Sequence, residues 1–204
     1  MLRERIILFK RLNILLDLFI TAGAFILAYY LRRYSAGNGL AEVGPLSDYL
    51  WILVVILPIW WIMFNTHGAY YSQRTTPYLS LVWMVLRVVF WGGIFLLAVL
   101  YAFKSFMVSR WLIGAFLILN VTFLSMEKIA IMTWLQVIRK KGFNFKTVLI
   151  VGIGDRLREV KNKIDQNPGW GMKVIGFVAV DSSQTNQTPI GLERLGRLED
   201  LLDV

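Results

Sequence analysis

The sequence predicts a membrane α-helical fold of four transmembrane helices, followed by an incomplete α/β unit of Rossmann-like type. Three observations lead there. Of 204 residues, 57% are hydrophobic and only 17% charged, against about 45–50% and about 25% in soluble domains. Four apolar stretches each approach the roughly 20 residues that cross a hydrocarbon core. After them a β-branched run ends in a glycine turn, an amphipathic stretch follows, and a second apolar run closes the order of a βαβ unit. These patterns assign a transmembrane domain to residues 1–142 and the α/β domain to residues 143–204. The same composition excludes disordered, collagen-like and disulfide-stapled chains. With no cysteine and a single histidine, His67, thiol catalysis, iron–sulfur clusters and thiolate zinc sites are excluded, and no metal centre is expected.

The spans are predicted at residues 12–31, 49–65, 81–103 and 111–131, the last continuing as a helix to residue 138. Arg3, Arg5, Lys10 and Arg11 precede the first, as in a signal peptide. That span is too long for an h-region of about 7–15 residues and carries Asp17, so it is read as retained. Residues 1–146 hold 15 Lys/Arg and 5 Asp/Glu, and residues 147–204 hold 7 and 8. The net charge of +9 therefore lies wholly in the apolar part, which argues against a nucleic-acid partner, since that would need a basic stripe on the soluble part. Nine basic residues flank one side of the spans: Arg3, Arg5, Lys10, Arg11, Arg74, Arg139, Lys140, Lys141 and Lys146. Four (Arg32, Arg33, Lys104, Arg110) flank the other. The positive-inside rule then predicts both termini in the cytoplasm.

Ionisable groups at membrane depth are functional candidates, because each costs about 2.5–3.5 kcal/mol on insertion scales. They are Asp17, Arg87, Glu127 and Lys128. At a rise of about 1.5 Å per residue, Asp17 lies roughly 8 Å and Arg87 roughly 10 Å inside the cytoplasmic ends of their spans, so the two could pair inside the bundle, the alternative being contact with a lipid phosphate near the inner leaflet. Glu127 and Lys128, adjacent in sequence, are not expected to face each other. Lys128 is expected near the inner interface, snorkelling. Beyond it Ile131, Trp134, Leu135 and Ile138 form a one-sided apolar stripe that would hold the cytosolic part close to the bilayer, with Gly142 as the helix stop. Tyr29, Tyr30, Tyr34, Trp60, Trp61, Tyr70, Tyr71, Tyr78, Trp111 and Trp134 gather at span ends and read as interface anchors. Pro58 is expected to kink the second span, His67 to be a loop residue, and Gly92-Gly93 to mark close helix packing.

In the α/β part, residues 147–151 form the first predicted strand, 156–166 the helix and 173–180 the second strand. Gly152 and Gly154 sit where a backbone could approach a phosphate at a helix N-terminus. The third position of the dinucleotide fingerprint is Leu157, and Asp155 places a carboxylate where a pyrophosphate would lie. Asp181, beyond the second strand, could accept from a ribose hydroxyl. Three readings stay open: a turn needed only for packing, a regulatory pocket for a nucleotide or nucleotide-sugar, and bound NAD for hydride chemistry. A polar loop at 182–189, a strand within 191–196 and a short helix at 198–202 complete the expectation. Only 58 residues follow position 146, too few for a full doubly wound sheet, which suggests a fragment or a sheet completed by a partner.

Leu16-Asp17-Leu18 with Tyr29-Tyr30-Leu31-Arg32, Gly68-Ala69-Tyr70, Ser109-Arg110, Lys141-Gly142-Phe143-Asn144 leading into VLIVGIG, and the later GWGMKVIGFVAVD carry a family resemblance. Together they resemble the N-terminal half of bacterial polyprenyl-phosphate sugar-1-phosphate transferases, large-form phosphoglycosyl transferases that start capsule, exopolysaccharide and O-antigen synthesis. The resemblance extends over nearly the whole chain. Membrane-bound nucleotide-sugar dehydratases and epimerases look similar in their four spans and glycine-turn domain. The transferase resemblance implies an accessory, dimerising half in the bacterial inner membrane. Catalysis in that family belongs to a C-terminal domain with a re-entrant helix and an Asp-Glu pair assisted by Mg²⁺, which meets the sugar nucleotide and polyprenyl phosphate. Glu199-Asp200 has the reverse order and no membrane context, so no catalytic residue carries over and the chain alone is expected to be inactive. The dehydratase alternative would require a second Rossmann domain with its own glycine motif and a Tyr/Lys pair. A transport or sensor subunit would require a filter-like sequence or paired broken helices, and neither is seen.

Overall fold

The computed structural model describes residues 2–35, 43–70, 75–104, 108–151, 155–179 and 194–197. The chain divides into two compact units, Met1–Ala130 and Ile131–Val204. The end of the last long helix therefore belongs with the second unit, and the boundary expected at residue 142 lies inside it.

The first unit is built from α1 (Leu2–Tyr34), α2 (Leu50–Thr66), α3 (Tyr78–Ala102) and the larger part of α4 (Arg110–Lys140). All four helices are long and apolar enough to cross a membrane. α2 follows a 3₁₀ turn, Leu46–Tyr49, and continues unbroken through Pro58. Pro45 and Pro77 stand immediately before the 3₁₀ turn and α3, where a missing N–H costs nothing. Each helix buries one stripe. On α4 it is Leu112, Phe116, Asn120, Leu124, Lys128 and Met132, a strict four-residue spacing. α1 buries Asp17, Thr21, Ala24, Phe25, Ala28, Tyr29 and Arg32. The rest of the surface keeps large apolar side chains outward on every helix, among them Phe19, Val54, Phe90 and Ile118. An apolar skin of that extent is larger than the apolar patches that soluble monomers expose and is consistent with membrane association.

Trp60 sits at the centre of this unit. Its ring packs on Phe116 with centroids 5.3 Å apart, and its Nε1 donates to Asn120 Oδ1 at 2.8 Å, the partner a buried indole requires. A Cβ on Gly92 would stand 3.3 Å from the Trp60 ring, and one on Gly93 would stand 3.3 Å from Leu117. The Gly92-Gly93 pair thus lets α3 approach both α2 and α4. At one end of the bundle Tyr29 Oη donates to the carbonyl of Gly44 at 2.7 Å and Arg32 Nε to Ser109 Oγ at 3.1 Å. These contacts bring the end of α1 to the segments that lead into α2 and α4, as an up-and-down helix order demands.

The second unit holds the tail of α4, β1 (Lys146–Val151), α5 (Asp155–Asp165), β2 (Met172–Ala179) and β3 (Arg194–Arg197). The strands form a three-stranded sheet in the order β1-β2-β3. Both pairings are parallel, with Lys146 opposite Met172 and Val151 opposite Val178. A register shift lies between Val148 and Leu149. Leu157 and Ile164, seven residues apart on α5, are buried, as are Phe177 and Val178 of β2. Leu157 and Phe177 form the small core with Ile150 of β1 packed against it.

α4 ends in a Schellman motif. Gly142 takes φ +85°, its N–H donates to the Arg139 carbonyl at 3.0 Å, and the Phe143 N–H reaches the Ile138 carbonyl at 3.3 Å, the paired bonds of that cap. Gly171, at φ +60°, is held more tightly, because a Cβ there would stand 2.8 Å from the Arg139 side chain. Its carbonyl accepts the Lys146 N–H at 2.7 Å, which fixes the start of β1.

Candidate functional site

Two places were singled out by sequence: the ionisable groups at membrane depth and the glycine turn. The structure brings three of the four ionisable residues together. Asp17 is fully buried, and its Oδ1 accepts from Lys128 Nζ at 2.6 Å. Its Oδ2 accepts from Tyr70 Oη at 2.8 Å. Glu127 Oε2 lies 3.2 Å from the same ammonium. The Lys128 Nζ also stands 5.7 Å from the ring centroids of Phe64 and Tyr70, within cation–π range. Lys10 Nζ lies 6.0 Å from the centroid of the Tyr70 ring.

The expected Asp17–Arg87 pair is corrected by this geometry. Arg87 faces outward on α3 and lies over the Trp83 ring at 5.5 Å. Depth alone suggested the pairing, but the buried stripe of α3 passes through Val85, Val88 and Val89, and Arg87 lies off it. Lys128 is corrected as well. It does not snorkel, since it lies on the buried stripe of α4 and its ammonium has a carboxylate partner within the bundle. Its long side chain also folds back to Glu127, so these neighbours meet in spite of their i,i+1 spacing.

Tyr70 was read as an interface anchor and turns out to be a ligand of Asp17. Burial first, and then the charge and hydrogen bond of Asp17, push its phenol well above its ordinary value, which keeps it a donor to the carboxylate. Tyr29 and Trp60 are likewise buried members of the core, whereas Tyr30, Tyr34, Trp61, Trp111 and Trp134 are exposed. The signal that separates the two groups is the four-residue stripe of each helix. His67 is local, its Nδ1 3.0 Å from the Met63 carbonyl.

The arrangement is a buried carboxylate held by one ammonium and one phenol, with a second carboxylate beside them. Such a group costs several kcal/mol to desolvate unless every member is paired. Its geometry ties α1 (Asp17), the turn after α2 (Tyr70) and α4 (Lys128) into one register. Among the described residues, the group holds no nucleophile aligned with a base and an open position, and so reads as a structural clasp.

The glycine turn occupies the three-residue connection between Val151, the end of β1, and Asp155, the start of α5. Gly152, Gly154 and Asp181 lie outside the described residues, as does the side chain of Asp155. The flanking elements place this connection at the carboxyl end of a parallel strand and the amino end of a helix, where nucleotides bind in open α/β sheets.

A protein-family model described as a CoA-binding domain matches residues 65–204. The match begins at the end of α2 and takes in α3, α4 and the whole sheet. Domains of this family are found in sugar-transferase and polysaccharide-related proteins. No curated protein matches the chain. Covering well over half of the sequence, and joining the apolar helices to the parallel sheet in one stretch, the match shows that the chain belongs to the CoA-binding domain family.

Proposed function

We propose that this chain is the membrane-anchoring, accessory region of a polyprenyl-phosphate sugar-1-phosphate transferase that starts a cell-surface polysaccharide. The observation that carries the reading is the family match, which treats two apolar helices and the following parallel sheet as one domain and is found in sugar-transferase proteins. In this reading the chemistry, with Mg²⁺, the sugar nucleotide and polyprenyl phosphate, is assigned to the C-terminal catalytic domain of the transferase family. In this reading α1 to α4 cross the bacterial inner membrane with both termini in the cytoplasm, and the chain works as a homodimer.

The sheet order β1-β2-β3 corresponds to one mononucleotide-binding half of a Rossmann-type sheet. That supports a regulatory pocket for a nucleotide or nucleotide-sugar at the connection between β1 and α5. The gene beyond codon 204 tests the proposal directly. A re-entrant helix with an Asp-Glu pair is expected; a second glycine-rich Rossmann turn, or a stop codon, would contradict it. The purified chain, given sugar nucleotide and polyprenyl phosphate, is expected to transfer nothing, and turnover would overturn the assignment of chemistry elsewhere.

A further inference from the structure

α4 is longer than a bilayer requires. Its 31 residues extend about 46 Å, whereas the hydrocarbon core is about 30 Å thick. A crossing that starts at Trp111 ends near Ile131, and the last two to three turns project beyond it. Within the second unit, those turns carry two unlike sets of side chains. Gln136 and Arg139 turn toward the turn before β2: the Gln136 side chain is the nearest neighbour of Gly169, and Arg139 that of Gly171. Trp134, Val137, Lys140 and Lys141 are exposed. The chain then remains exposed from Gly142 through Thr147, and it presents Phe143, 67% exposed, and Phe145, 54% exposed.

Charge decides what covers this surface. From residue 129 to residue 154 the sequence has no Asp or Glu and four basic residues. Of these, Lys140, Lys141 and Lys146 are exposed beside the aromatic side chains. Aromatic rings with basic heads at the foot of a helix that leaves the bilayer are complementary to an anionic headgroup layer, the rings entering the acyl boundary and the ammonium groups meeting phosphate. A protein partner of similar chemistry would need its own acidic apolar surface, while the bilayer is already adjacent through α4.

We infer that Trp134, Phe143 and Phe145 with Lys140, Lys141 and Lys146 form a docking surface for anionic phospholipid, which sets the α/β unit on the membrane. The inference rests on the proposal that α4 spans the bilayer. Because the chain contains no cysteine, nitroxide labels can be attached singly to Phe143→Cys, Glu159→Cys and Phe90→Cys in the full chain. Each is reconstituted into vesicles of phosphatidylcholine alone or of an equal mixture with phosphatidylglycerol. Relative accessibility to oxygen and to a water-soluble nickel complex then reports depth. Position 90, exposed at mid-helix on α3, is expected to be nickel-excluded in both lipids; if it is not, the spanning proposal itself fails. With position 90 protected, position 143 is expected to be nickel-excluded in the anionic mixture and water-accessible in neutral lipid, while position 159 stays water-accessible in both. An accessibility at 143 equal to that at 159 in the mixture would overturn the inference. Replacing the three lysines by glutamine is expected to lower the docked-to-undocked ratio about 150-fold. High salt, which leaves the sequence intact, is expected to act in the same direction, and indifference to both would refute the electrostatic recognition.

Discussion

Removing the Lys128 ammonium while leaving Asp17 in place strands a carboxylate with no exposure to solvent. Lys128→Ala is therefore expected to destabilise the helical unit by about 3–5 kcal/mol. The double variant Asp17→Asn with Lys128→Met should recover much of that loss, since buried pairs often exchange for apolar groups at little cost. Unfolding in mild detergent, run as a double-mutant cycle, measures both. Additive losses would mean that the 2.6 Å contact contributes nothing. Gly92 offers a second test of the same unit. With the Trp60 ring 3.3 Å from the position of a Cβ, Gly92→Leu is expected to cost about 1–3 kcal/mol through overpacking, and a Leu tolerated without loss would show that α2 and α3 are not held as described. At this scale the sequence disclosed which charges lie within the long apolar helices, but not which face each occupies. Asp17 and Lys128 fall on buried stripes and Arg87 does not, a distinction contained in the four-residue spacing of Leu112, Phe116, Asn120 and Leu124 rather than in depth.

Among the elements, the four long helices and the βαβ order were legible because apolar length and β-branched runs bounded by glycine are strong signals. α1 reaches further toward the N-terminus than the expected span, since hydropathy marks the part that can sit in lipid and not where a helix begins. The strand pairing confirms a parallel sheet, and the third strand, Arg194–Arg197, overlaps the second half of its expected range. What hydropathy could not show is that the tail of α4 belongs with the sheet, because that depends on Arg139 and Gln136 meeting the glycines before β2. Gly171→Ala is expected to cost about 1–2 kcal/mol from its left-handed backbone alone, and more where the Arg139 side chain cannot give way. α5 is held on the sheet chiefly by Leu157, which packs with Phe177. Leu157→Ala should therefore remove about 2–5 kcal/mol. Hydrogen exchange should show lost protection in α5 and β1 with α1 to α3 unchanged, and an equal loss in the helices would contradict the division at Ala130.

The molecule as a whole has an apolar bundle, clasped internally by a buried ion pair, and a parallel sheet whose first strand, β1, precedes α5 in sequence. Function at this scale was legible only as far as a class of protein. The motifs that resemble the transferases are shared with membrane-bound nucleotide-sugar dehydratases and so do not separate the two, and the glycines that would bind a nucleotide were visible by spacing alone. The central claim is that the bundle spans the membrane an even number of times and leaves the α/β unit on the side opposite the segment between α1 and α2. Ser47, in the 3₁₀ turn before α2, and Glu159, on α5, are both exposed and can each carry the only cysteine. In intact bacterial spheroplasts, a membrane-impermeant maleimide is expected to react with Ser47→Cys at once and with Glu159→Cys only after permeabilisation. Reaction of both from the same side would contradict it.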